Sequence, residues 1–171
     1  IQSNKEHLEG VAKLASVFAS EFCMSSWGKM LGMLHDIGKQ SNAFQQHIKK
    51  ESGYAPETKV IGDYHHAYIG GIIARKLYGK SADNFFVNQI LSHHSGLHDS
   101  DELDSENSEL KKTIPTEVNP NIEKVVLDKL SFKCKATDIH HLSRMLFSCL
   151  VDADYLDTET FMDKETSELR A

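Results

Sequence analysis

The stretch LGMLHDIGKQSNAFQQHI, residues 31–48, decides the fold of this chain. Apolar residues recur there at three- and four-residue steps, which predicts a helix from about Ser26 to Ile37. Gly38 is suited to end that helix in a left-handed conformation. The polar pair His35 and Asp36 is therefore expected in the last turn of an otherwise apolar helix.

The same periodicity covers most of the chain, and no alternating pattern of useful length predicts a strand. Further helices are predicted at about Lys5 to Cys23, Ser41 to Lys50, His66 to Tyr78, Asp83 to His94, Asn121 to Leu130 and Asp138 to Leu156. A chain of 171 residues has the size of one domain. The sequence therefore predicts an all-α fold, a compact helical bundle in which residues 1–171 form a single domain.

One segment, residues 97–120, interrupts the helical pattern. It contains the acidic and polar run HDSDELDSENSEL, and Pro115 and Pro120 close it. A loop of this length is usually functional or disordered. We therefore predict a flexible acidic loop that acts as a mobile flap.

Composition is that of an ordinary globular protein, with 40% apolar and 26% charged residues. No apolar run is long enough to span a bilayer and no export signal opens the chain, so we expect a cytoplasmic protein without a membrane partner. Three widely spaced cysteines, Cys23, Cys134 and Cys149, stand among apolar residues and indicate reduced core thiols. The net charge of −6 disfavours a general nucleic-acid binder, so any nucleic acid must be held locally.

Histidine is frequent in this chain, with 10 histidines against one tryptophan, and many stand beside aspartates or other histidines. Imidazoles and carboxylates together suit divalent transition metals. The spacing lets successive helices each deliver one or two ligands to a common centre. The candidates are His7, His35, Asp36, His66, His93, His94 and an aspartate of the segment LVDADYLD, residues 150–157.

Two adjacent ligands at a helix end can bind two different metals, and the simplest arrangement of the candidate ligands makes Asp36 a bridge between the two metals. Metal one takes His7, His35, Asp36 and the late aspartate, and metal two takes Asp36, His66, His93 and His94. Two metals close together lower the pKa of a water and stabilise the entering and leaving oxygens of a phosphoryl group. The predicted cofactors are two divalent transition-metal ions, Mn, Ni, Co or Fe, with Mg as a further option.

Each histidine also has a simpler interpretation. A lone histidine such as His7 is more often an exposed helix residue, whereas a buried polar doublet without partners is costly. In the pair His65 and His66 we favour His66 as the ligand and expect its neighbour to be solvated. The pair His140 and His141 is interpreted as structural.

Lys39 has two possible interpretations. Lys39 follows Asp36 by three residues and would project on the same side of a continued helix, where it could hold a phosphate oxygen. Its simpler interpretation is an exposed lysine at a helix C-terminus.

Asp152 and Asp154 lie about 200° apart on a helix, so only one should face the metals. The apolar positions around them slightly favour Asp152.

Four ordered segments together resemble the HD nuclease domain of type I CRISPR helicase-nucleases, within the HD superfamily of metal-dependent phosphohydrolases. They are LGMLHDIGKQSNAFQQHI, HHAYIGG, SHHSGL and RMLFSCLVDADYLDTE. The resemblance implies an all-helical HD fold and a metal-dependent nuclease that cuts single-stranded DNA, with RNA as an alternative, in CRISPR interference. It also implies two partners, a superfamily-2 helicase and the CRISPR surveillance complex.

The resemblance assigns roles to individual residues. It implies ligands at His7, His35, Asp36, His66, His93 and His94. Its alanine-aspartate-x-leucine pattern matches the chain at Asp154, which we therefore expect to be the late ligand. Catalytic roles fall on Asp36 as the bridge and on Lys39 as a phosphate contact. Because no GxxxxGK[ST] loop and no initiating methionine occur, we expect a nuclease domain excised from, or partnering, a helicase.

Two other functions fit part of this pattern. An HD phosphohydrolase that acts on a small nucleotide would share the histidine and aspartate chemistry. The three histidines for a second metal and the LVDADYLDTE segment favour the nuclease over it. A catalytically idle interaction module would be expected to have lost ligands, whereas this chain retains the whole set.

Overall fold

The computed structural model describes residues 2–80, 83–97, 108–119, 122–130, 135–163 and 165–167. Within these ranges the secondary structure is helical, without a strand. The α-helices are α1 (Asn4–Ser20), α2 (Ser25–Leu34), α3 (Asn42–Glu51), α4 (Ala67–Tyr78), α5 (Asn88–Ser92) and α6 (Ala136–Met162). The predicted all-α fold is confirmed.

Helix α1 begins with a capping box that fixes the position of its first turn. The Ser3 hydroxyl accepts a hydrogen bond from the Glu6 backbone N–H at 3.2 Å, and the Ser3 backbone N–H donates to the Glu6 carboxylate at 2.8 Å. Two otherwise unpaired N–H groups are satisfied in this way. His7 follows directly, so the cap holds it at a defined point on the first turn.

The chain after α2 differs from the prediction. The α-helix ends at Leu34, and residues Ile37–Gln40 form a 3-10 turn that contains Gly38. Gly38 is not among the positive-φ residues, so the predicted left-handed helix end is wrong. A Cβ at this position would collide with the carbonyl oxygen of His66, so glycine is required for close packing. This contact brings the start of α4 against the segment that carries Asp36.

The predicted helix from Asp83 to His94 has two parts. Residues Asp83–Val87 form a π-helical turn, and α5 continues from it to Ser92. His93 is the C-terminal cap of α5. Both histidines of the doublet therefore lie at the end of a short helix and outside its regular turns.

The predicted helix from Asn121 to Leu130 is wrong, because residues 122–130 contain no helix. Tertiary contacts satisfy the backbone of this segment instead. The Ser26 hydroxyl accepts from the Asp128 N–H at 2.7 Å, and the Asp128 carboxylate accepts from the Ser26 N–H at 2.8 Å. The Tyr78 hydroxyl donates to the Val125 carbonyl at 2.9 Å. These bonds replace the local ones that a helix would have supplied.

The core lies between α1, α2, α4, α5 and α6. The aromatic ring of Trp27 stacks on Phe86, with ring centroids 5.3 Å apart and planes 11° from parallel. The fully buried apolar side chains include Met30, Leu31, Leu34, Ile69, Ile73, Phe86, Ile90, Leu146 and Leu150. Burial of this set anchors the helix ends that surround the polar cluster described below.

The cysteine prediction holds for one residue and fails for another. Cys149 is buried, as expected of a core thiol, whereas Cys23 is exposed in a left-handed conformation with φ of 62°. Cys23 ends the turn after α1, so neighbouring apolar residues in the sequence do not bury it. Cys134 lies outside the described residues.

The acidic segment 97–120 lies partly outside the described residues, which omit 98–107 and 120. Of the described part, Ser108–Lys111 forms a 3-10 turn and Val118 is buried in the core. The flexibility of the acidic run stays a prediction. Among the described helices, none is long and apolar enough to cross a membrane.

Candidate metal centre

The predicted ligands converge from five parts of the sequence. Helix α1 supplies His7 from its first turn, the segment after α2 supplies His35 and Asp36, and the start of α4 supplies His66. The other members come from the end of α5 and from the middle of α6. The structure brings together two groups of side chains, His7, His35, Asp36 and Asp154 in one, and Asp36, His66, His93 and His94 in the other. Within each group the ligand atoms lie within 4.8 Å of one another.

The first group, which we call cluster one, surrounds one oxygen of Asp36. His7 Nε2 lies 3.5 Å and His35 Nε2 lies 3.4 Å from Asp36 Oδ2. The same two nitrogens lie 3.2 Å and 3.7 Å from Asp154 Oδ1. Two imidazoles and two carboxylates thus face a common point.

The second group, cluster two, surrounds the other oxygen of Asp36. His66 Nε2 lies 3.0 Å and His93 Nε2 lies 3.3 Å from Asp36 Oδ1. His94 Nε2 lies 3.0 Å from His66 Nε2. Asp36 therefore divides its two oxygens between the clusters, which is the arrangement that a bridging carboxylate requires.

The buried atoms of these clusters fit a cation. Asp36 Oδ1 and the Nε2 atoms of His35 and His93 are buried without a hydrogen bond within the described part of the chain, and Asp36 Oδ2 is buried with Lys39 Nζ as its ion-pair partner. His35 Nδ1 lies 2.8 Å from the Gly32 carbonyl, and His93 Nδ1 lies 2.6 Å from the Ile90 carbonyl. In each neutral imidazole the Nδ1 proton is then donated to the carbonyl, so Nε2 presents a lone pair to the cluster.

The close contacts between imidazoles and carboxylates also determine which groups are protonated in the metal-free protein. Burial lowers the pKa of His7, but the carboxylates of Asp154, Asp36 and Asp157 outweigh it and raise that pKa to about 10. Burial also lowers the pKa of His35, but the carboxylates of Asp36 and Asp154 outweigh this effect and raise that pKa to about 9. Protons therefore occupy cluster one at neutral pH, where a bound cation would displace them.

The pKa values of Asp36 and His94 move in the opposite direction. Burial raises the pKa of Asp36, but His35, His66 and His7 hold it well below its usual range. Burial, followed by the neighbouring His93, lowers the pKa of His94 to about 4. Cluster two thus offers a neutral His94 and a charged Asp36 at physiological pH, which are the forms that bind cations.

A pH dependence of stability follows for the metal-free protein. The folded-state pKa of His7 is about 10 against an ordinary 6.5, so its stabilisation is complete below pH 6.5 and is lost as the pH rises through 10. We expect melting temperatures of chelator-treated protein to fall between these limits. The variant His7→Gln should lose part of that dependence. Stability that stays constant or rises over this range would contradict the assignment.

Lys39 and Phe44 lie at the mouth of the site. Lys39 Nζ forms an ion pair with Asp36 Oδ2 and lies 5.9 Å from the centroid of the Phe44 ring. The Phe44 ring in turn contacts the ring of His66 edge to face, with centroids 4.9 Å apart. A cleft of about 260 Å³ opens beside them and is lined by Gln2, Ser3, Asn4, His7, Lys39, Phe44, Gln45 and Thr158. Lys39 therefore lies where a ligand of the clusters would enter.

Sequence reasoning missed Asp157, which lies behind His7. The Asp157 carboxylate lies 2.8 Å from His7 Nδ1 and accepts a hydrogen bond from the Gln2 amide at 2.8 Å. A Cβ at Gly10 would collide with this carboxylate, so the glycine lets α1 and α6 approach. The signal was present in the sequence, because Asp157 follows Asp154 by three residues and shares its helix face.

The backbone next to Asp36 is held by a second contact that the sequence did not reveal. The Asn4 side-chain amide donates to the Asp36 carbonyl at 3.1 Å and accepts from the Gln40 amide at 3.2 Å. This bridge connects α1 with the 3-10 turn. No pattern in the sequence relates these positions, which are separated by more than thirty residues.

The remaining candidates lie outside both clusters. Asp152 is exposed and lines a shallow cleft with Phe18, so α6 directs Asp154 and not Asp152 at cluster one. His65 is exposed and contacts Asp63 instead of the cluster. His140 and His141 are exposed on α6 and belong to neither cluster, and their interpretation as structural residues stays a prediction.

A protein-family model described as the HD domain of Cas3 matches residues 5–156 of the chain. Every residue of the two clusters falls inside that range, and Asp157 falls directly after it. No curated protein matches the sequence as a relative.

Proposed function

The chain belongs to the Cas3 HD-domain family, and from this premise we propose that it cuts single-stranded DNA at a centre of two divalent metals. Membership implies a metal-dependent nuclease that acts in CRISPR interference. The single-stranded substrate, the number of metals and the roles of individual residues are the proposal. We further propose that a superfamily-2 helicase presents the strand, in association with the CRISPR surveillance complex.

One observation carries the proposal: Asp36 directs Oδ2 towards cluster one and Oδ1 towards cluster two. Both oxygens of this carboxylate are buried among four imidazoles, so its desolvation is costly unless cations or protons compensate it, and Lys39 contributes one positive charge at Oδ2. Asp36 would contribute one oxygen to each of two cations. Cluster one would hold one cation through His7, His35, Asp36 and Asp154, and cluster two the other through Asp36, His66, His93 and His94.

Two divalent cations supply the acidity that makes water a nucleophile at neutral pH and the charge that stabilises the oxygens of a phosphoryl group. The residues of the chain contribute orientation. The Gly32 and Ile90 carbonyls fix the rings of His35 and His93 with Nε2 facing inward. Lys39 reaches the cleft beside Asp36, and its ammonium group can transfer its contact from that carboxylate to a phosphate oxygen.

Asp157 is proposed to orient His7 for ligation, since its carboxylate accepts the Nδ1 proton and leaves Nε2 free for a cation. We expect Asp157→Ala to weaken metal binding about 10- to 100-fold, the usual effect of removing such a partner. Asp157→Asn should lose less, because its amide oxygen can accept the same proton. Metal titration measures both, with thermal melts as the check on folding. Unchanged affinity in Asp157→Ala would contradict this role.

The experiment that tests the proposed function begins with chelator-treated protein. It is incubated with single-stranded DNA, single-stranded RNA, duplex DNA or small nucleotides while Mn, Ni, Co, Fe or Mg is added in turn. We expect metal-dependent cleavage of the single strand, with weak and salt-sensitive binding because the net charge is −6. Cleavage of small nucleotides alone would favour the phosphohydrolase alternative. Tight binding of duplex DNA at physiological salt would contradict the single-strand preference.

A further inference from the structure

Three aromatic side chains next to the metal clusters form one stack. The ring centroids of His47 and Tyr64 are 4.1 Å apart with planes 12° from parallel. Those of Tyr64 and His65 are 4.9 Å apart with planes 16° from parallel. Rings this close to parallel present flat apolar faces in one orientation, and none of these three belongs to either metal cluster.

Two of the three rings of the stack are exposed, whereas the candidate ligand that follows them in the chain is half-buried. The His65 side chain is 70% exposed and Tyr64 is 41% exposed, whereas the His66 side chain is only 13% exposed. His66 Nε2 lies 3.0 Å from Asp36 Oδ1. Because consecutive Cα atoms are about 3.8 Å apart, the chain passes from the exposed stack to a candidate ligand within one residue.

His65 is held in place despite its exposure. Asp63 Oδ1 lies 2.7 Å from His65 Nδ1 and accepts from the His65 backbone N–H at 2.9 Å. The other oxygen of Asp63 accepts from Lys112 Nζ at 2.6 Å. An exposed ring that is fixed in this way loses little further conformational entropy when a flat ligand stacks on it.

Positively charged side chains lie on the helix that carries one ring of the stack and at the metal clusters, although the chain is acidic overall. Helix α3, which carries His47, has Lys49 and Lys50 exposed in its last turn. Lys39 lies at the mouth of the clusters. Aromatic faces combined with local cations are the features by which proteins hold single strands without reading their sequence.

We propose that the His47–Tyr64–His65 stack is a platform on which a base of single-stranded nucleic acid stacks while an adjacent phosphodiester lies at the metal clusters. The inference rests on the proposed function and adds a substrate contact that the metal ligands do not supply. Every base has a π face, so the platform accepts any sequence. Bases in a duplex are already stacked and paired, so duplex DNA gains no such contact.

The test compares cleavage of oligothymidine with cleavage of an abasic strand of the same length by metal-loaded protein. We expect His65→Ala to raise the KM for oligothymidine by about 5- to 100-fold with little change in kcat, as expected for loss of one base contact. His65→Phe retains a flat ring and should retain the low KM. Tyr155→Ala removes an exposed tyrosine that is not part of the stack, and should match the unsubstituted protein.

The abasic strand and the metal content separate the outcomes. The unsubstituted protein should have a higher KM for the abasic strand, and His65→Ala should not raise that KM further. If the unsubstituted protein cuts no strand with any metal, the proposed function itself fails. If it cuts oligothymidine and His65→Ala does so with the same KM and unchanged metal content, the platform is wrong and the nuclease stands.

Discussion

Replacing Asp36 with alanine is expected to abolish cleavage and to empty both metal sites. Asp36 is fully buried, and its two oxygens face different clusters, so one substitution removes a carboxylate from each. Breaking a buried charge pair costs about 3–5 kcal/mol, which corresponds to roughly a 150- to 5000-fold loss of affinity for each cation. Elemental analysis after reconstitution should approach two metals per chain for the unsubstituted protein and near zero for the variant.

The control for Asp36→Ala is the isosteric variant Asp36→Asn, which keeps the volume of the side chain and removes its charge. Helical content measured by circular dichroism should be similar for both variants, because the Asp36 side chain caps no helix. If either variant retains two metals or measurable turnover, Asp36 does not bridge. A firm ratio of one metal in a fully active unsubstituted protein would exclude the two-metal centre.

Replacing Asp154 with alanine is expected to remove most of the metal affinity of cluster one and most of the cleavage. Asp154 Oδ1 lies 3.2 Å from His7 Nε2, and the imidazoles of His35 and His7 hold the pKa of Asp154 far below its usual range against the effect of burial. Removing a direct ligand should lower the metal affinity by more than the 10- to 100-fold that is usual when a residue behind a ligand is removed. Metal titration read beside thermal melts measures it.

Asp152→Ala is the matched control, because Asp152 shares the helix and the side-chain type of Asp154. Asp152 is exposed and faces away from cluster one, so the metal affinity of Asp152→Ala should stay within about twofold of that of the unsubstituted protein. Helix propensity and net charge change equally in the two variants. If Asp152→Ala is the variant that loses metal, the assignment of Asp154 is wrong.

Prediction of the fold from the sequence succeeded where local periodicity agreed with packing. The apolar steps of α1, α2, α4 and α6 predicted those helices, and the same side chains form the core. The prediction failed for the segment 122–130 because its apolar residues also suit a non-helical segment that packs on the core. Periodicity over nine residues does not separate these cases, and the bonds to Ser26 and Tyr78 decide between them.

The helical class, the family resemblance and the set of side chains that converge could all be predicted from the sequence alone. Polar doublets at the ends of apolar helices are costly unless they share a site, and their order matched one family. The sequence did not decide which aspartate is the late ligand, since the local apolar pattern favoured Asp152 and the resemblance favoured Asp154. The rotation of α6 against α1 settles which of the two faces His7.

The residues that support the clusters can be identified only from the three-dimensional structure. Asp157 meets His7 across 150 positions of sequence, Asn4 meets Asp36 across 32, and Gly38 is required by the carbonyl of His66 and not by its own φ. The stack of His47 on Tyr64 likewise joins two separate segments. Such contacts depend on how helices approach and rotate, and the spacing of residues along one helix carries no information about the next.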